Sequence, residues 1–466
     1  MKTYNAVTFM VVPFMLSKEI NIQDSKIWTP DRIFEGQKSD NFKKGTVFPY
    51  IQRIFETATT DNNDFQLYTL RQSYSSSILD NKLFLHTDND QRIIPFRFTN
   101  AHDSFYSPKL LISVSTDVGI LVIPIQINPP TKKVEFFGTE IEELHELIRY
   151  LRVTWIPSIY SSNQEKPISV NEIIKDLMID FDNNYTRFNN EYALHFSFFI
   201  ADTDSFNTDL EKMFVNITKC KEQIDAPVLN SFEIMQPLKK LYMVSSTEGT
   251  TIMAVGNIGK TPYVRFFENE LTEIFIWIFL LITLQRYCLI RMVAELTKLR
   301  DEIELKTSLK SNNRMMNIKT KIQYVFGSQD KMVDKLRQLI KKFSMLRINT
   351  GYYVISEDSA CNDFYQLCSK SAGIFRLNEE IEKKTEILNE YLSQQSENRK
   401  EMMDWQLSIL LAILTVTSAS ADTLDLIEKL KLLSPPDRKY YIFGFVFVLS
   451  AILYLFVIII RALRKR

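Results

Sequence analysis

The stretch YYIFGFVFVLSAILYLFVIII, residues 440–460, carries no charge over 21 residues and runs into Arg461, Arg464, Lys465 and Arg466. About 20 apolar residues suffice to cross the ~30 Å hydrocarbon core of a bilayer as a helix, and basic residues at the exit favour the cytoplasmic side. Upstream, beyond a polar connection at 422–439 that contains Ser434, Pro435 and Pro436, lies WQLSILLAILTVTSASA, residues 405–421, with 17 uncharged positions. Gln406, Ser408, Thr415, Thr417, Ser418 and Ser420 make it semi-polar. A membrane helix accepts such groups where they face a neighbour or a water-filled path. The sequence therefore predicts a transmembrane domain at 404–466 with spans at about 405–421 and 440–460. Both the region before it and the basic tail then lie in the cytoplasm.

Working back towards the N-terminus, glycine and proline almost vanish between Pro262 and Pro435, glycine recurring only at Gly327, Gly351 and Gly373. Long helices are expected there, over about 264–309, 311–346 and from 358 onwards, forming a stalk at 263–403. In the third, Ile374, Leu377, Ile381, Leu388 and Leu392 recur at helical spacing, with Glu379, Glu380, Lys383 and Lys384 on other faces. The apolar run Ile274–Leu284 is only 11 residues long, so a buried core helix is the better reading than a span.

Residues 1–262 change hydrophobic period often, the mark of a mixed domain. Strands are expected at 6–12, 92–98, 110–115, 120–127, 133–137, 192–201, 241–246 and 251–255, and helices at 140–151, 170–179 and 208–219. The fold class this gives is α+β (mixed αβα) for a cytosolic ligand-sensing domain, followed by a long helical stalk and two C-terminal transmembrane helices.

The 56 basic and 56 acidic residues cancel, which argues against direct nucleic-acid binding because neutralising many phosphates needs a basic excess. Cys220, Cys288, Cys361 and Cys368 lack zinc-site spacing and are too sparse for a disulfide framework, and the four histidines are scattered. Residues 6–16 resemble a short signal peptide, but Pro13 interrupts them and no cleavage site follows. They read as a buried strand.

Asp404, Ser408, Leu411, Thr415, Ser418 and Asp422 step by four and three along the first span, which places them on one stripe. Two readings stand for it. In a symmetric ring the stripe lines a pore with an acidic ring at each mouth, which favours cations; alternatively, the hydroxyls bond to helix carbonyls or to the second span. For a cytosolic ligand, Arg149 and Arg152 are helical neighbours followed by Trp155, a pattern suited to gripping phosphate beside an aromatic ring. Asp202 and Asp204, at the C-terminal end of the strand at 192–201, are placed opposite them. Surface salt bridges or capping explain the arginines as well. Ala254–Thr261 fits the loose form of a phosphate-binding loop, but no strands follow to build a nucleotide hydrolase, and a helix start at Thr261-Pro262 explains the same residues. No enzymatic constellation stands out.

The order of these parts, with the local pattern from Arg376 through Glu390 to Arg399 and the span starting near Trp405, resembles the CorA superfamily of divalent-cation transporters. The resemblance covers roughly the last 110 residues. It implies a homo-oligomer, a pentamer, in the plasma (inner) membrane, with Mg²⁺ as a possible bound cation. The family's Gly-Met-Asn triplet after the first span is replaced here by Ser418-Ala-Ser-Ala-Asp422. In that respect the chain is similar to the divergent CorA-like proteins of type III CRISPR antiviral systems. Those are membrane effectors triggered by a nucleotide messenger made from ATP and S-adenosylmethionine (SAM-AMP). The resemblance thus implies a channel gated by a small nucleotide ligand. A constitutive divalent-cation transporter and a membrane-anchored scaffold without a pore remain the alternatives.

Overall fold

The computed structural model describes residues 1–16, 34–36, 65–71, 83–86, 93–98, 108–113, 115–127, 139–152, 159–161, 164–179, 185–188, 192–220, 233–238, 240–256, 274–312, 332–344, 346, 359–394, 397, 404, 407–408 and 411. Its strands are β1 (Lys2–Leu16), β2 (Phe34–Gly36), β3 (Phe65–Leu70), β4 (Leu83–His86), β5 (Ile93–Phe98), β6 (Lys109–Ser113), β7 (Val118–Ile127), β8 (Thr139–Glu140), β9 (Ile159–Ser161), β10 (Gln164–Ile168), β11 (Tyr185–Arg187), β12 (Leu194–Ala201), β13 (Met235–Leu238), β14 (Leu241–Ser245) and β15 (Gly249–Val255). The helices are α1 (Ile141–Arg152), α2 (Val170–Leu177), α3 (Thr208–Lys219), α4 (Ile276–Asn312) and α5 (Ser359–Ser371); residues 332–344 and 374–394 are helical too.

All these strands join one sheet, whose longest path runs β10-β9-β4-β5-β7-β1-β12-β15-β14-β13. The described pairings are antiparallel except β12 with β15, and α3 lies in the connection between those two strands, as a parallel pair requires a crossover. β1 is the spine, pairing with β8 and then β7 along one edge and with β12 and then β11 along the other.

Two prolines in the middle of this sheet are explained by register. Along one edge of β1, pairing with β12 ends at Val11↔Leu194 and pairing with β11 starts at Phe14↔Arg187. Pro13 sits in that hand-over, where its missing N–H interrupts no ladder; its carbonyl still accepts from Phe188 N at 3.3 Å. On β7, β6 pairs as far as Val122 and β5 takes over from Ile125. Pro124 falls in that gap in the same way.

Successive residues of a strand face opposite sides, and both sides of this sheet are covered. One face carries Met10, Val12, Phe14, Leu121, Ile123, Ile125, Phe199 and Met253, packed with the apolar stripes of α1, α2 and α3. The other carries Phe196, whose ring lies 5.4 Å from Phe279 of α4 and 6.3 Å from Phe364 of α5. The chain divides into two compact units, Met1–Thr385 and Glu386–Arg466. The boundary expected at residue 262 therefore does not separate the sheet from α4 and α5, because both helices lie on the sheet within the first unit.

The expected fold class needs a correction. The architecture found is one large mixed sheet with helices on both faces. Among the described residues a single helix, within Ile276–Glu304, is long and apolar enough to cross a membrane, in place of the two C-terminal spans predicted. The decisive window of that helix is 78% buried inside the protein, and residues 275–282 and 284 are buried to 5% exposure or less. Residues 440–460, and all of 405–421 except Leu407, Ser408 and Leu411, lie outside the described residues. So does the strand expected at 133–137.

Candidate functional site

At one end of the sheet the N-termini of β12 and β15, the C-terminus of β14 and the last turns of α1 and α3 converge. The 12-residue α1 has Glu142 and Glu143 in its first turn and Arg149 and Arg152 in its last, the distribution that the helix dipole favours. Arg152 Nε donates to Ala193 O at 2.9 Å and Nη1 to Lys219 O at 3.5 Å, while the guanidinium lies 5.2 Å from the Tyr192 ring centroid. α3 starts at Asn207, whose side chain accepts from Leu210 N, and stops at Cys220 in the left-handed conformation (φ 52°).

The carbonyls left open at the end of α3 are taken up by residues from three other elements. Arg152 reaches Lys219 O, while Thr218 O accepts from His195 Nε2 at 3.2 Å and lies 3.2 Å from the Ser246 hydroxyl. Since a carbonyl only accepts, His195 carries its proton on Nε2 and its Nδ1 accepts from Ser197 Oγ at 2.9 Å. Ser197 Oγ in turn lies 3.1 Å from Thr8 Oγ1. This buried line fixes α3 across β12 and β1. Burial first, then the Arg152 charge, pushes the His195 pKa down to about 3, so the ring is neutral.

The β14–β15 turn, Ser246–Gly249, presents Glu248. Its carboxylate pairs with Lys219 Nζ at 3.2 Å and accepts from Ser246 Oγ and Thr247 Oγ1, each at 3.1 Å. Burial pushes the Glu248 carboxyl up, but the Lys219 charge and hydrogen bond, Arg152 and Ser246 overcome it, leaving the group below its ordinary range. From the other face of the sheet, Arg286 of α4 donates from Nη1 to Thr247 O at 3.1 Å. Lys219 and Arg286 thus contact one four-residue turn that holds one carboxylate, and the charge of Arg152 acts on the same carboxylate. Such a rim, with Tyr192 beside it, can hold a phosphate or carboxylate ligand.

The sequence-predicted residues are not all brought together. Arg149 and Arg152 lie at this end; the Arg149 guanidinium is 5.3 Å from the Tyr150 ring centroid. Trp155 lies outside the described residues. Asp202 and Asp204 follow the far end of β12, where Asp202 N donates to Lys2 O. At ~3.3 Å per residue the length of β12 separates them from Arg152 by roughly 25 Å, so they do not face the arginines as expected. In the expected pore stripe, Asp404, Ser408 and Leu411 are helical and exposed, and Ser408 Oγ donates to Asp404 O at 2.7 Å, the carbonyl-bonding alternative. Thr415, Ser418 and Asp422 lie outside the described residues.

Lys219, Glu248, Tyr192 and Arg286 were missed. Glu248 falls between the strands expected at 241–246 and 251–255, and Arg286 just past the apolar run that ends at Leu284; neither residue type nor spacing joins positions 38 residues apart. No family model and no curated protein matches this chain. Among the described residues, no group of three or more His, Cys, Asp or Glu side chains is placed to hold a metal ion.

Proposed function

We propose that the chain is an oligomeric, CorA-like membrane ion channel gated by an anionic nucleotide bound at the Arg152–Lys219–Arg286 end of the sheet, and that it is not an enzyme. The observation that carries this reading is the path taken by α4. At one point α4 grips the Ser246–Gly249 turn through Arg286; further along, its Thr297 Oγ1 accepts from Lys384 Nζ at 2.9 Å. Eleven residues of helix, about 16 Å at 1.5 Å each, therefore join the cationic rim to the helix at 374–394.

A ligand shifts a gate only by binding one arrangement better than another. A phosphate drawn to Lys219 and Arg286 acts on the turn that both hold, and through Arg286 on α4. The CorA resemblance supplies the channel and the candidate messenger of type III CRISPR defence, SAM-AMP; the rim supplies a place for its phosphate. The pentamer, the plasma-membrane location and any bound Mg²⁺ belong to the same proposal.

Ion flux through the full chain in liposomes tests it, measured with and without SAM-AMP and with ATP as comparison. Flux that rises only with the nucleotide, and falls when Asp422 is changed to Asn, is expected. Equal flux with and without nucleotide indicates a constitutive transporter instead, and no flux under any condition a scaffold.

A further inference from the structure

We infer that Glu248 is a built-in competitor for the ligand: its carboxylate occupies, in the ligand-free protein, the place on Lys219 that the ligand's phosphate takes. The inference rests on the site proposed above and concerns how that site is regulated. Its basis is chemical equivalence. A carboxylate accepting from a lysine ammonium and two hydroxyls is bound much as a phosphate oxygen is, and Glu248 does so through Lys219, Ser246 and Thr247.

The position of this carboxylate makes its displacement consequential. It stands on a four-residue turn rather than within a strand or helix, with the side chains of Lys219 and Glu248 still 20% and 23% exposed. A ligand can therefore reach the pair from solvent. The single proton of Ser246 Oγ, given to Glu248 here, can turn to Thr218 O 3.2 Å away, and the oxygen accepts from the N–H groups of Glu248 and Gly249. The turn thus keeps its shape when the carboxylate leaves Lys219. Arg286 holds the neighbouring carbonyl of Thr247, so the backbone of the turn stays tied to α4 while the Glu248 side chain swings. Occupancy of the site and release of the internal carboxylate become one event, which lowers affinity in exchange for a response.

The test uses the full chain and two probes, pyrophosphate and ATP, titrated by calorimetry at fixed ionic strength. In Glu248→Gln the hydroxyls keep an acceptor while the competing charge is gone, so both probes bind about ten-fold tighter, the worth of one charge-assisted contact. Glu248→Asp, which withdraws the carboxylate by one methylene, shifts affinity in the same direction and serves if the Gln variant fails to fold. Lys219→Gln weakens binding by about the same factor. If the wild type binds neither probe and Lys219→Gln changes nothing, the site reading itself falls. If the wild type binds and Lys219→Gln weakens it, but neither Glu248 variant binds tighter, the site stands and the internal competitor is refuted.

Discussion

Gly249 is a position where one added carbon is costly, and the expected cost comes from its surroundings. It is the first residue of β15 and pairs with His195 of β12. A Cβ built on it would lie 2.6 Å from the His195 carbonyl oxygen, and closer still to ring atoms Cδ2 and Nε2. The carbonyl belongs to the sheet backbone. The ring cannot swing away without losing Thr218 O on one nitrogen and Ser197 Oγ on the other. Overpacking a filled interior costs about 1–3 kcal/mol, and leaving a buried polar group unsatisfied about 1–3 kcal/mol more. Gly249→Ala should therefore destabilise by about 2–6 kcal/mol, read as a lowered urea midpoint of the full chain followed by circular dichroism. The control is Gly373→Ala. That glycine has open space around it but φ +69°, so the cost there is conformational only, about 1–2 kcal/mol. A Gly249→Ala variant with the wild-type midpoint would refute the close approach of β15 to the His195 ring.

Phe196→Ala empties the junction of the sheet with α4 and α5, where Phe9, Phe279 and Phe364 surround a ring with no exposed surface. A loss of about 3–5 kcal/mol is expected, with hydrogen exchange rising in α4 and α5 more than in α1. His195 gives a pH dependence: the unfolded ring takes a proton near 6.5 and the folded one only near 3. Its contribution is complete above pH 6.5 and is lost as pH falls towards 3, by up to about 1.4 kcal/mol per unit; His195→Gln should flatten the acid limb of a stability–pH curve. Ser169 caps α2 in a reciprocal capping box with Glu172. Ser169→Ala should cost about 1 kcal/mol, seen as a small drop in melting temperature with binding of pyrophosphate unchanged.

Legibility followed burial. β7 and β12, with nearly every residue buried, announce themselves by largely apolar composition. α1, α2 and α3 have their apolar residues on one stripe and are found within two residues of their ends. The edge strands are silent. Gln164-Glu-Lys-Pro-Ile168 has the composition of a loop and becomes β10 only by pairing with β9, an energy that no local propensity records. In β1 the run at 6–16 was legible as a buried strand, but why Pro13 can sit inside it is explained only by the hand-over from β12 to β11. At the site, Arg149 and Arg152 could be read as a pair on one helix. Their real neighbours could not, since Tyr192, Lys219, Glu248 and Arg286 meet only through strand order.

The same limit governs the reading of α4. Hydropathy alone cannot distinguish a helix packed against a sheet from one packed against lipid, because both surroundings are apolar and the same side chains satisfy them. What separates the two is where the polar atoms along the helix find partners. In lipid, Cys288 and Arg286 would have to turn to their own helix or to the interface. Here Cys288 Sγ lies 3.2 Å from Thr116 Oγ1 of the β6–β7 turn, and Arg286 bonds Thr247 O of the β14–β15 turn. A helix whose polar positions coincide with the sheet's turns has been fitted to that sheet. That coincidence lets α4 serve at once as the core of the first unit and as the connection between its cationic rim and Lys384.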